Sequence, residues 1–575
     1  MAYISFKNSD ITIEAEIGAN LSDCIRKAGL HIETPCNCIG SCGKCRVKAV
    51  GQLFPPTEEE KKLIVGQEGI RLACMAKVYG DIEIELLRSS SSLKTINRGL
   101  TIDVNVDSDT KKVTLPAVDK GNPKPYIETL PYKQADFSIL EKIGKFENGK
   151  TGELIGVAYH GRLLDIAEEI SNVLGVAVDI GTTGISAYLV DLESGEVLNK
   201  ASALNPQTQF GGDVLTRISY CMEHTDGSKL LKEAIITKID ELIGELTYNV
   251  CPRSSVYRVA IAGNTTMLHL FLGVETRSIA KAPYRPVFLD RIDLKASELS
   301  IGINKNGILT ILPSASGYVG ADILAGIIAT DFHKSNSSAI FIDIGTNGEI
   351  AAIHNGKIAV TSTAAGPALE GMNISCGCRA ETGAIESFSM DDCYNISYAT
   401  IGSVEAKGIC GSGLFDIAAF FLKRGIVLKS GRFNTDLDPR IKDRLIDKKF
   451  YITDEIYISQ KDIRQIQLAK GAIASGIAML LAEIHLPIEC VEEAVIAGAF
   501  GYHLNSQSIL DIRLIPKGFK GKITFVGNSS VEGARMALIS KSMLDSMIAL
   551  KDEMTVLELS TMDKFQDYFV KELSF

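Results

Sequence analysis

The sequence predicts a multidomain protein with a small, cysteine-rich N-terminal domain of strands, a short α+β module and a large, duplicated α/β domain. Three observations predict this. Four of the thirteen cysteines lie within residues 36–45. A serine run and several prolines occupy residues 89–131, and an Asp-x-Gly-Thr motif occurs at both 179–182 and 343–346. The predicted division is 1–88, 89–131 as a linker, 132–173 and 174–575.

Composition excludes several classes of protein. A chain of 575 residues has room for about three to four domains. With 46% hydrophobic and 23% charged residues, it has an ordinary globular composition. Acidic residues outnumber Lys and Arg by 70 to 60, and no basic run is present, so the sequence predicts no nucleic-acid partner.

The apolar segments predict a cytoplasmic protein with no membrane partner. Residues 1–10 lack the basic and apolar regions of a secretory signal. The longest apolar stretch, 471–484, is short and rich in Ala and Gly, whereas a membrane span needs about 20 apolar residues. It therefore predicts a buried helix. In such a chain, cysteines are expected to be thiols or metal ligands and not disulfides.

Elements around the cysteines define the N-terminal domain. Residues 3–6 and 11–17 predict two strands joined by a turn, and Asn20 is placed to cap a short helix ending at Ala28. After the cysteine loop, residues 46–50 and 81–87 predict further strands. A hairpin, a helix, a cysteine loop and closing strands form the order of a ferredoxin β-grasp domain.

The cysteine spacing points to one metal centre. Closely spaced thiolates can surround a soft metal, and the intervening glycines let backbone amides turn towards bridging sulfides. The C-x5-C-x2-C spacing, followed by one distant cysteine, resembles that of adrenodoxin-like [2Fe–2S] ferredoxins. This resemblance implies four cluster ligands: Cys36, Cys42, Cys45 and Cys74. Cys38 stands where that family usually has a small residue that is not a ligand.

Other interpretations of the cysteines remain open at this stage. Four thiolates would also suit a structural zinc ion, and the thiols could simply be buried. A second set of cysteines lies downstream, at Cys376, Cys378, Cys393 and Cys410. Because cysteine is among the most buried residue types, we interpret this second set as packing residues.

The segment between the cysteine-rich and duplicated domains predicts a connection and a small module. Ser89–Ser92 marks a boundary, and the prolines up to Pro131 predict an extended chain. Residues 136–146 predict a helix, and 154–166 predict a hairpin turning at Gly161. No catalytic set of residues is evident there, so the module is expected to serve in spacing and docking.

The large domain carries its motif twice. Val178–Gly184 reads VDIGTTG and Ile342–Gly348 reads IDIGTNG, and each lies between two apolar strands. Glycines allow close approach of the backbone, the Thr hydroxyl donates to phosphate, and the Asp can hold Mg²⁺ through water. A second pair of motifs, around Gly263 and Gly498, predicts a strand, a glycine turn and a helix start suited to a nucleotide.

This double pattern resembles the superfamily of acetate and sugar kinases, heat-shock chaperone ATPases and actin (ASKHA). In that superfamily two ribonuclease-H-like halves close over ATP. The resemblance implies a first phosphate loop of Asp179, Gly181, Thr182 and Thr183, a second of Asp343, Gly345, Thr346 and Gly348, and adenosine contacts at Gly498, Ala499 and Gly501. The two aspartates are predicted to be catalytic.

Asp322 is the third predicted catalytic residue. It precedes the second motif by 21 residues, in a segment with helical character. Chaperone ATPases of this superfamily keep a carboxylate near the attacking water at about this place. We therefore expect Asp322 to orient water or to contact Mg²⁺, with helix capping as the alternative.

Further segments narrow the resemblance within the superfamily. These segments are residues 205–213, 263–269, 316–322, 365–375, 408–413 and 527–533. Together with the N-terminal [2Fe–2S] pattern, they resemble the corresponding parts of the reductive activators of corrinoid-dependent enzymes. The resemblance implies ATP-dependent reduction of a corrinoid protein from inactive Co(II) to Co(I). It also implies a partner in a methyltransferase system, an upstream low-potential electron donor and a homodimer formed through the ATPase domain.

Three other functions share parts of this sequence pattern. A small-molecule kinase with a redox-regulatory ferredoxin domain would release a phosphorylated product. An activator of 2-hydroxyacyl-CoA dehydratases would carry a [4Fe–4S] cluster between subunits and no N-terminal ferredoxin. An actin-like assembly protein would leave the cysteine cluster without a role.

Overall fold

The computed structural model describes residues 1–7, 11–30, 32, 34, 38, 40, 43–64, 69–87, 102, 104–132, 134–148, 152–498 and 504–575. They belong to two compact units. One unit comprises 1–93 with 204–235, and the other comprises 94–203 with 236–575.

The strands of the described residues are, in chain order, β1 (Ala2–Phe6), β2 (Thr12–Ala15), β3 (Arg46–Leu53), β4 (Ile70–Leu72), β5 (Val78–Leu86), β6 (Thr110–Leu115), β7 (Gln134–Ala135), β8 (Leu154–Tyr159), β9 (Arg162–Ala167), β10 (Leu174–Ile180), β11 (Gly184–Asp191), β12 (Val197–Leu204), β13 (Val256–Gly263), β14 (Ile292–Lys295), β15 (Ile308–Ile311), β16 (Ala339–Ile344), β17 (Gly348–His354), β18 (Lys357–Thr363), β19 (Ala384–Met390), β20 (Ile396–Thr400), β21 (Gly408–Ile409), β22 (Leu445–Ile446), β23 (Lys449–Tyr451), β24 (Tyr457–Ser459), β25 (Glu493–Ala497), β26 (Lys522–Gly527) and β27 (Thr555–Leu557).

The helices are α1 (Leu21–Lys27), α2 (Glu58–Leu63), α3 (Tyr126–Thr129), α4 (Phe137–Asn148), α5 (Val214–Glu223), α6 (Gly227–Thr247), α7 (Thr265–Leu272), α8 (Ala321–Ala329), α9 (Gly411–Lys423), α10 (Gln460–Glu483), α11 (Ser506–Asp511), α12 (Ser529–Ile539), α13 (Lys541–Glu553) and α14 (Phe565–Glu572).

The N-terminal sheet has the predicted β-grasp arrangement. Its strand order is β2-β1-β5-β3-β4, with β1 antiparallel to β2 and parallel to β5. Helix α1 begins after Asn20, whose side chain accepts a hydrogen bond from the Ser22 amide at 2.9 Å. Leu21 and Ile25 of this helix join the buried core of the sheet. The expected helix cap and the β-grasp fold are confirmed.

A four-stranded sheet forms the core of the small module, in the order β6-β8-β9-β7. The predicted hairpin is β8 and β9, and the predicted helix is α4, which packs against β9. Strand β6 pairs along its length with β8, although it lies within the segment predicted as linker. The serine run at 89–92 lies outside the described residues, and the proposed domain boundaries stay predictions.

The large domain contains two six-stranded sheets that match in five strands, while the sixth strand lies beside β15 in one sheet and beside β18 in the other. Their orders are β12-β11-β10-β13-β15-β14 and β26-β25-β16-β17-β18-β27. In each, a central strand (β10 or β16) is antiparallel to its hairpin partner and parallel to a strand that leads to a glycine turn (β13 or β25). The predicted duplication of a ribonuclease-H-like half is confirmed.

Apolar residues on both faces explain why these sheets are covered by helices. Every residue of β10 is buried, because α12 packs on it. Helix α10 packs on β17 and β18 in the second sheet. It contains the apolar stretch predicted as a buried helix. Among the described helices it is the only one long and apolar enough to cross a membrane, and 78% of its most apolar window is buried inside the protein.

Candidate nucleotide site and cysteine loop

Both motif aspartates lie at the same place in their sheets. Asp179 is next to Ala262 of β13, and Asp343 is next to Ala497 of β25. The glycine that follows each of these parallel strands approaches the central strand closely. A Cβ atom at Gly263 would lie 2.8 Å from the Ile180 carbonyl oxygen, and one at Gly498 would lie 2.5 Å from that of Ile344. Neither glycine can carry a side chain without movement of the backbone.

Hydrogen bonds hold Asp179 in place. The Asn528 amide donates to its Oδ2 at 2.9 Å, and the Ser530 hydroxyl donates to its Oδ1 at 2.8 Å. Both donors come from the start of α12, where Asn528 is the N-cap. Burial raises the pKa of Asp179, and these two hydrogen bonds act in the opposite direction.

Asp343 has a different environment, in which its charged neighbours are carboxylates. Burial, followed by repulsion from Asp322, Asp179 and Glu370, raises the pKa of Asp343 to about 8. Glu349 lies directly across the hairpin from Asp343. Burial, together with repulsion from Asp322 and Asp343, raises the pKa of Glu349 well above its usual value. A cation would remove this repulsion.

Asp322 belongs to the same group of carboxylates. It is the second residue of α8, and its Oδ1 accepts a hydrogen bond from the Ile323 amide at 2.9 Å. Burial, and then the charge of Asp179, raises the pKa of Asp322 to about 7. The N-cap position of α8 is Gly320, and Asp322 accepts a hydrogen bond from a first-turn amide within the helix, so a capping contact accompanies its place among the carboxylates.

The carboxylates are better placed to bind a cation through its water ligands than to coordinate it directly. Within the described ranges, no three His, Cys, Asp or Glu side chains converge closely enough to bind a metal ion directly. Mg²⁺ usually keeps several waters and takes one or two carboxylates together with substrate phosphates. The donor set therefore fits Mg²⁺ held through water.

The tips of the two hairpins meet. The Thr183 and Thr346 hydroxyl oxygens lie 2.9 Å apart, and both contact Glu370 Oε2, at 2.9 and 3.0 Å. The Thr182 hydroxyl has a different partner, because it accepts a hydrogen bond from the Asn264 side-chain amide at 3.0 Å. Hydroxyl groups from both halves of the ATPase domain thus share one anionic acceptor.

The predicted glycines have different surroundings. A Cβ atom at Gly181 would lie 2.7 Å from the Gly184 carbonyl oxygen within the first tip. One at Gly348 would lie 2.8 Å from Ile473 of α10, so Gly348 permits close helix packing. A Cβ atom at Gly345 would have the Asn347 carbonyl oxygen as its nearest neighbour, at 3.5 Å. Ala499 and Gly501 lie outside the described residues.

Sequence reasoning did not select Glu349, Glu370, Asn528 or Ser530. Glu349 follows the second motif directly, so its position next to the motif is a signal that could have found it. Glu370 lies within 365–375, and Asn528 and Ser530 lie within 527–533; both segments carry the family resemblance, but only tertiary structure brings these residues to the hairpins.

The cysteine loop brings two predicted ligands together. The sulfur atoms of Cys45 and Cys74 lie 3.2 Å apart, and both residues are buried. This distance is well beyond the roughly 2.05 Å of a disulfide bond, and two soft donors so close together fit a shared iron. Asn20 donates to the Cys74 carbonyl oxygen at 2.8 Å, which links the helix cap to the site. Cys36 and Cys42 lie outside the described residues.

Cys38 contacts a different set of groups. Its sulfur accepts from Arg26 at 3.6 Å and lies 3.9 Å from the Ser22 hydroxyl oxygen. Arg26 also donates to the Gln209 carbonyl oxygen at 2.6 Å, within the same compact unit. That Cys38 is not a ligand stays a prediction.

The downstream cysteines contact separate parts of their own domain. The Tyr457 amide approaches the Cys376 sulfur at 3.5 Å. The Cys410 sulfur lies 3.2 Å from the Ile385 carbonyl oxygen and 3.4 Å from the Ser412 hydroxyl. Of the four, Cys410 is buried, as a packing residue would be, whereas Cys376 and Cys378 are half-buried and Cys393 is exposed.

Family models match three stretches of the chain. A 2Fe-2S iron–sulfur cluster binding domain matches residues 5–79, the RACo middle region matches 174–335, and the C-terminal domain of RACo, its ASKHA domain, matches 337–575. The first match contains Cys45 and Cys74, and the other two each contain one Asp-x-Gly-Thr hairpin.

Individual proteins are similar along most of the chain. The corrinoid activation enzyme RamQ of Eubacterium limosum is 32% identical, and the match covers 96% of each chain. The [Co(II) methylated amine-specific corrinoid protein] reductase of Methanosarcina barkeri is 29% identical over 70% of this chain and 77% of its own. The solved structure of a reductive activator for corrinoid, iron–sulfur protein has a TM-score of 0.75 and 31% identity, covering 100% of this chain and 98% of that one.

Proposed function

The chain belongs to the family of corrinoid activation enzymes, and on that premise we propose that it returns a corrinoid protein from inactive Co(II) to Co(I). Electron transfer by a [2Fe–2S] cluster is coupled to ATP hydrolysis in this reaction. The observation that carries the proposal is the match to RamQ over 96% of both chains, which includes the iron–sulfur domain and both nucleotide-binding halves.

Redox chemistry gives a reason for joining the two activities. A ferredoxin-type [2Fe–2S] cluster supplies single electrons at about −400 mV. For a one-electron couple, each ~59 mV of unfavourable difference lowers the equilibrium constant tenfold. A cobalt couple lower than the donor therefore needs a further source of free energy. Nucleotide and partner binding can supply it if they interact differently with the two states of the activator.

The nucleotide roles follow from the geometry of the hairpins. We propose that Thr183 and Thr346 donate to the phosphates of ATP, while Asp179 and Asp343 hold a hydrated Mg²⁺. Asp322 then orients the attacking water. Its raised pKa of about 7 suits a group that accepts a proton near neutral pH. The backbone at Gly181, Gly345 and Gly498 allows close approach of the nucleotide.

The cluster ligands are proposed to be Cys36, Cys42, Cys45 and Cys74, with Cys45 and Cys74 on one iron. Replacing Cys45 or Cys74 by Ser should remove most of the visible absorbance of anaerobically reconstituted protein. Cys38→Ser is the matched control from the same loop and should keep it. Loss of the cluster in Cys38→Ser with retention in Cys45→Ser would overturn the ligand assignment.

The identity of the partners, the cellular location and the oligomeric state are also proposals, and the family resemblance supports them. We expect a corrinoid protein of a methyltransferase system, a low-potential electron donor, a cytoplasmic location and a homodimer formed through the ATPase domain. Light scattering of the purified chain, compared with the isolated ATPase domain, tests the dimer. A monomeric full-length chain would contradict it.

The decisive experiment is an anaerobic absorbance spectrum of a Co(II) corrinoid protein mixed with this protein and a reductant. Co(I) should appear only when ATP and Mg²⁺ are added, and not with the Asp343→Asn variant. Release of ADP and phosphate without a phosphorylated product would separate this function from that of a small-molecule kinase. Equal Co(I) formation without ATP would contradict the proposal.

A further inference from the structure

Glu370 lies where the two phosphate loops meet. Its Oε2 is 2.9 Å from the Thr183 hydroxyl and 3.0 Å from the Thr346 hydroxyl. Thr346 is the motif threonine of the second hairpin, and Thr183 directly follows the motif threonine of the first, so both are side-chain donors at the hairpin tips. A carboxylate oxygen and a phosphate oxygen are alternative acceptors for the same hydroxyl protons. We refer to Glu370 with Thr183 and Thr346 as the Glu370 clasp.

The turn that carries Glu370 is held firmly. It is a short 3-10 helix, Pro367–Glu370, with Pro at its start and Gly371 in the left-handed region at its end. Ala368 and Leu369 are buried. The start of α9 packs so closely on the turn that a Cβ atom at Gly411 would clash with the Leu369 carbonyl oxygen. The backbone of the turn therefore fixes the position from which the Glu370 side chain extends.

The charge of Glu370 is unfavourable for a nucleotide. This carboxylate and that of Asp343 repel each other, and the Asp343 site already contains several acidic groups. A terminal phosphate that accepted hydrogen bonds from Thr183 and Thr346 would bring further negative charge to the same point. The phosphate and the Glu370 carboxylate therefore cannot both hold these donors.

We infer that Glu370 is an affinity- and specificity-determining residue that competes with the terminal phosphate of ATP for Thr183 and Thr346. This inference rests on the proposed nucleotide site. Without nucleotide, the clasp joins the tips of the two hairpins through one carboxylate. When ATP binds, the threonines change partner and the Glu370 side chain turns away. After hydrolysis, return of the carboxylate helps to expel phosphate.

The test measures binding of the non-hydrolysable analogue AMP-PNP, and of AMP, to the intact holoprotein with Mg²⁺ by calorimetry. If the clasp is formed about 90% of the time, its removal should tighten binding about tenfold, because apparent affinity scales with the competent fraction. Glu370→Ala should therefore bind AMP-PNP about tenfold more tightly and AMP unchanged. Glu405→Ala, at an exposed position of the same domain, is the control and should match the wild type.

The outcomes separate this inference from the proposed function. Weaker or unchanged binding of AMP-PNP by Glu370→Ala, or an equal gain for AMP, would overturn the clasp while leaving the nucleotide site intact. Failure of the wild type to bind AMP-PNP would instead contradict the proposed function. Glu370→Gln keeps the shape and removes the charge, so it serves if the Ala variant does not fold. It should show a smaller gain in the same direction, and no gain would overturn the inference.

Discussion

The two Asp-x-Gly-Thr hairpins have nearly identical sequences but different registers. In the first, Ile180 pairs with Ile185, and the tip consists of residues 181–184. In the second, Ile344 pairs with Gly348, and the tip is one residue shorter, at 345–347. Because side chains alternate along a strand, a shift of one residue changes which side chain faces a given position. Ser186 therefore lies opposite Asp179, whereas Glu349 lies opposite Asp343.

This difference gives equivalent aspartates different electrostatic environments. Asp179 accepts hydrogen bonds from Asn528 and Ser530. Among the described residues no hydrogen-bond donor contacts the Asp343 carboxylate, and the charged groups that shift its pKa are all carboxylates. The duplication has thus produced one half that holds its aspartate with neutral donors and one half whose aspartate is surrounded by carboxylates.

The largest expected effect is one that both halves share. Asp179→Ala and Asp343→Ala should each lower ATP turnover by about 10²–10³-fold, because positioning of Mg²⁺ and phosphate supplies most of the rate in phosphoryl transfer. ADP release under anaerobic conditions measures this. The exposed Asp545→Asn control should be unaffected, and all variants should keep the cluster spectrum. Normal hydrolysis in either Ala variant would remove that aspartate from the site.

Stability should separate the two aspartates in the absence of nucleotide and metal. Asp179→Ala leaves the buried Ser530 hydroxyl without its carboxylate acceptor and the half-buried Asn528 amide with only its longer contact to the Ser186 hydroxyl at 3.3 Å, which should lower the free energy of unfolding of the ATPase domain by about 1–3 kcal/mol. Above about pH 8, where Asp343 is ionised, Asp343→Asn removes a repelled charge and should raise the unfolding temperature. Scanning calorimetry measures both changes. Destabilisation by both substitutions would contradict the electrostatic difference described above.

The dependence of stability on pH should come from the second half and its neighbour Asp322. The pKa values of Asp322 and Asp343, about 7 and about 8, lie above their unfolded values. The native state therefore binds more protons than the unfolded state at intermediate pH, and stability should fall as pH rises from about 6 to 9. Calorimetry across this range should show a smaller fall in Asp343→Asn or with Mg²⁺ and nucleotide. Rising stability over the same range would contradict this prediction.

The smallest effect is expected when only one of the two hydrogen bonds to Asp179 is removed. Ser530→Ala removes one hydrogen bond to Asp179 and leaves the one from Asn528, so it should cost about 1 kcal/mol of stability. ATP turnover should fall by less than about tenfold, which is far less than in Asp179→Ala. Ser546→Ala is a matched control, because this half-buried hydroxyl of α13 donates to the Ser542 carbonyl oxygen of its own helix at 2.8 Å and lies outside the nucleotide site. A loss as large as that of Asp179→Ala would mean that Ser530 itself contacts the nucleotide.

Local sequence determined a large part of the fold. The Asn20 cap, the hairpins at both Asp-x-Gly-Thr motifs and the buried helix α10 each depend on residues close together in the chain. Cysteine spacing and the repeated motif also led to the correct family, because these chemical patterns are short and specific. Such features need no knowledge of distant contacts.

Tertiary structure decided the surroundings of the two aspartates. Asn528 reaches Asp179 from 349 residues away in sequence, and Glu370 meets Thr183 across 187 residues. The placement of Glu349 opposite Asp343 depends on a tip that is one residue shorter, although both motifs have the same length in sequence. Hydrogen bonding, burial and charge repulsion act through space. The sequence by itself therefore determined the family and the hairpins that present the candidate residues, and only the packed sheets and helices decided which of these residues are hydrogen-bonded and which repel one another.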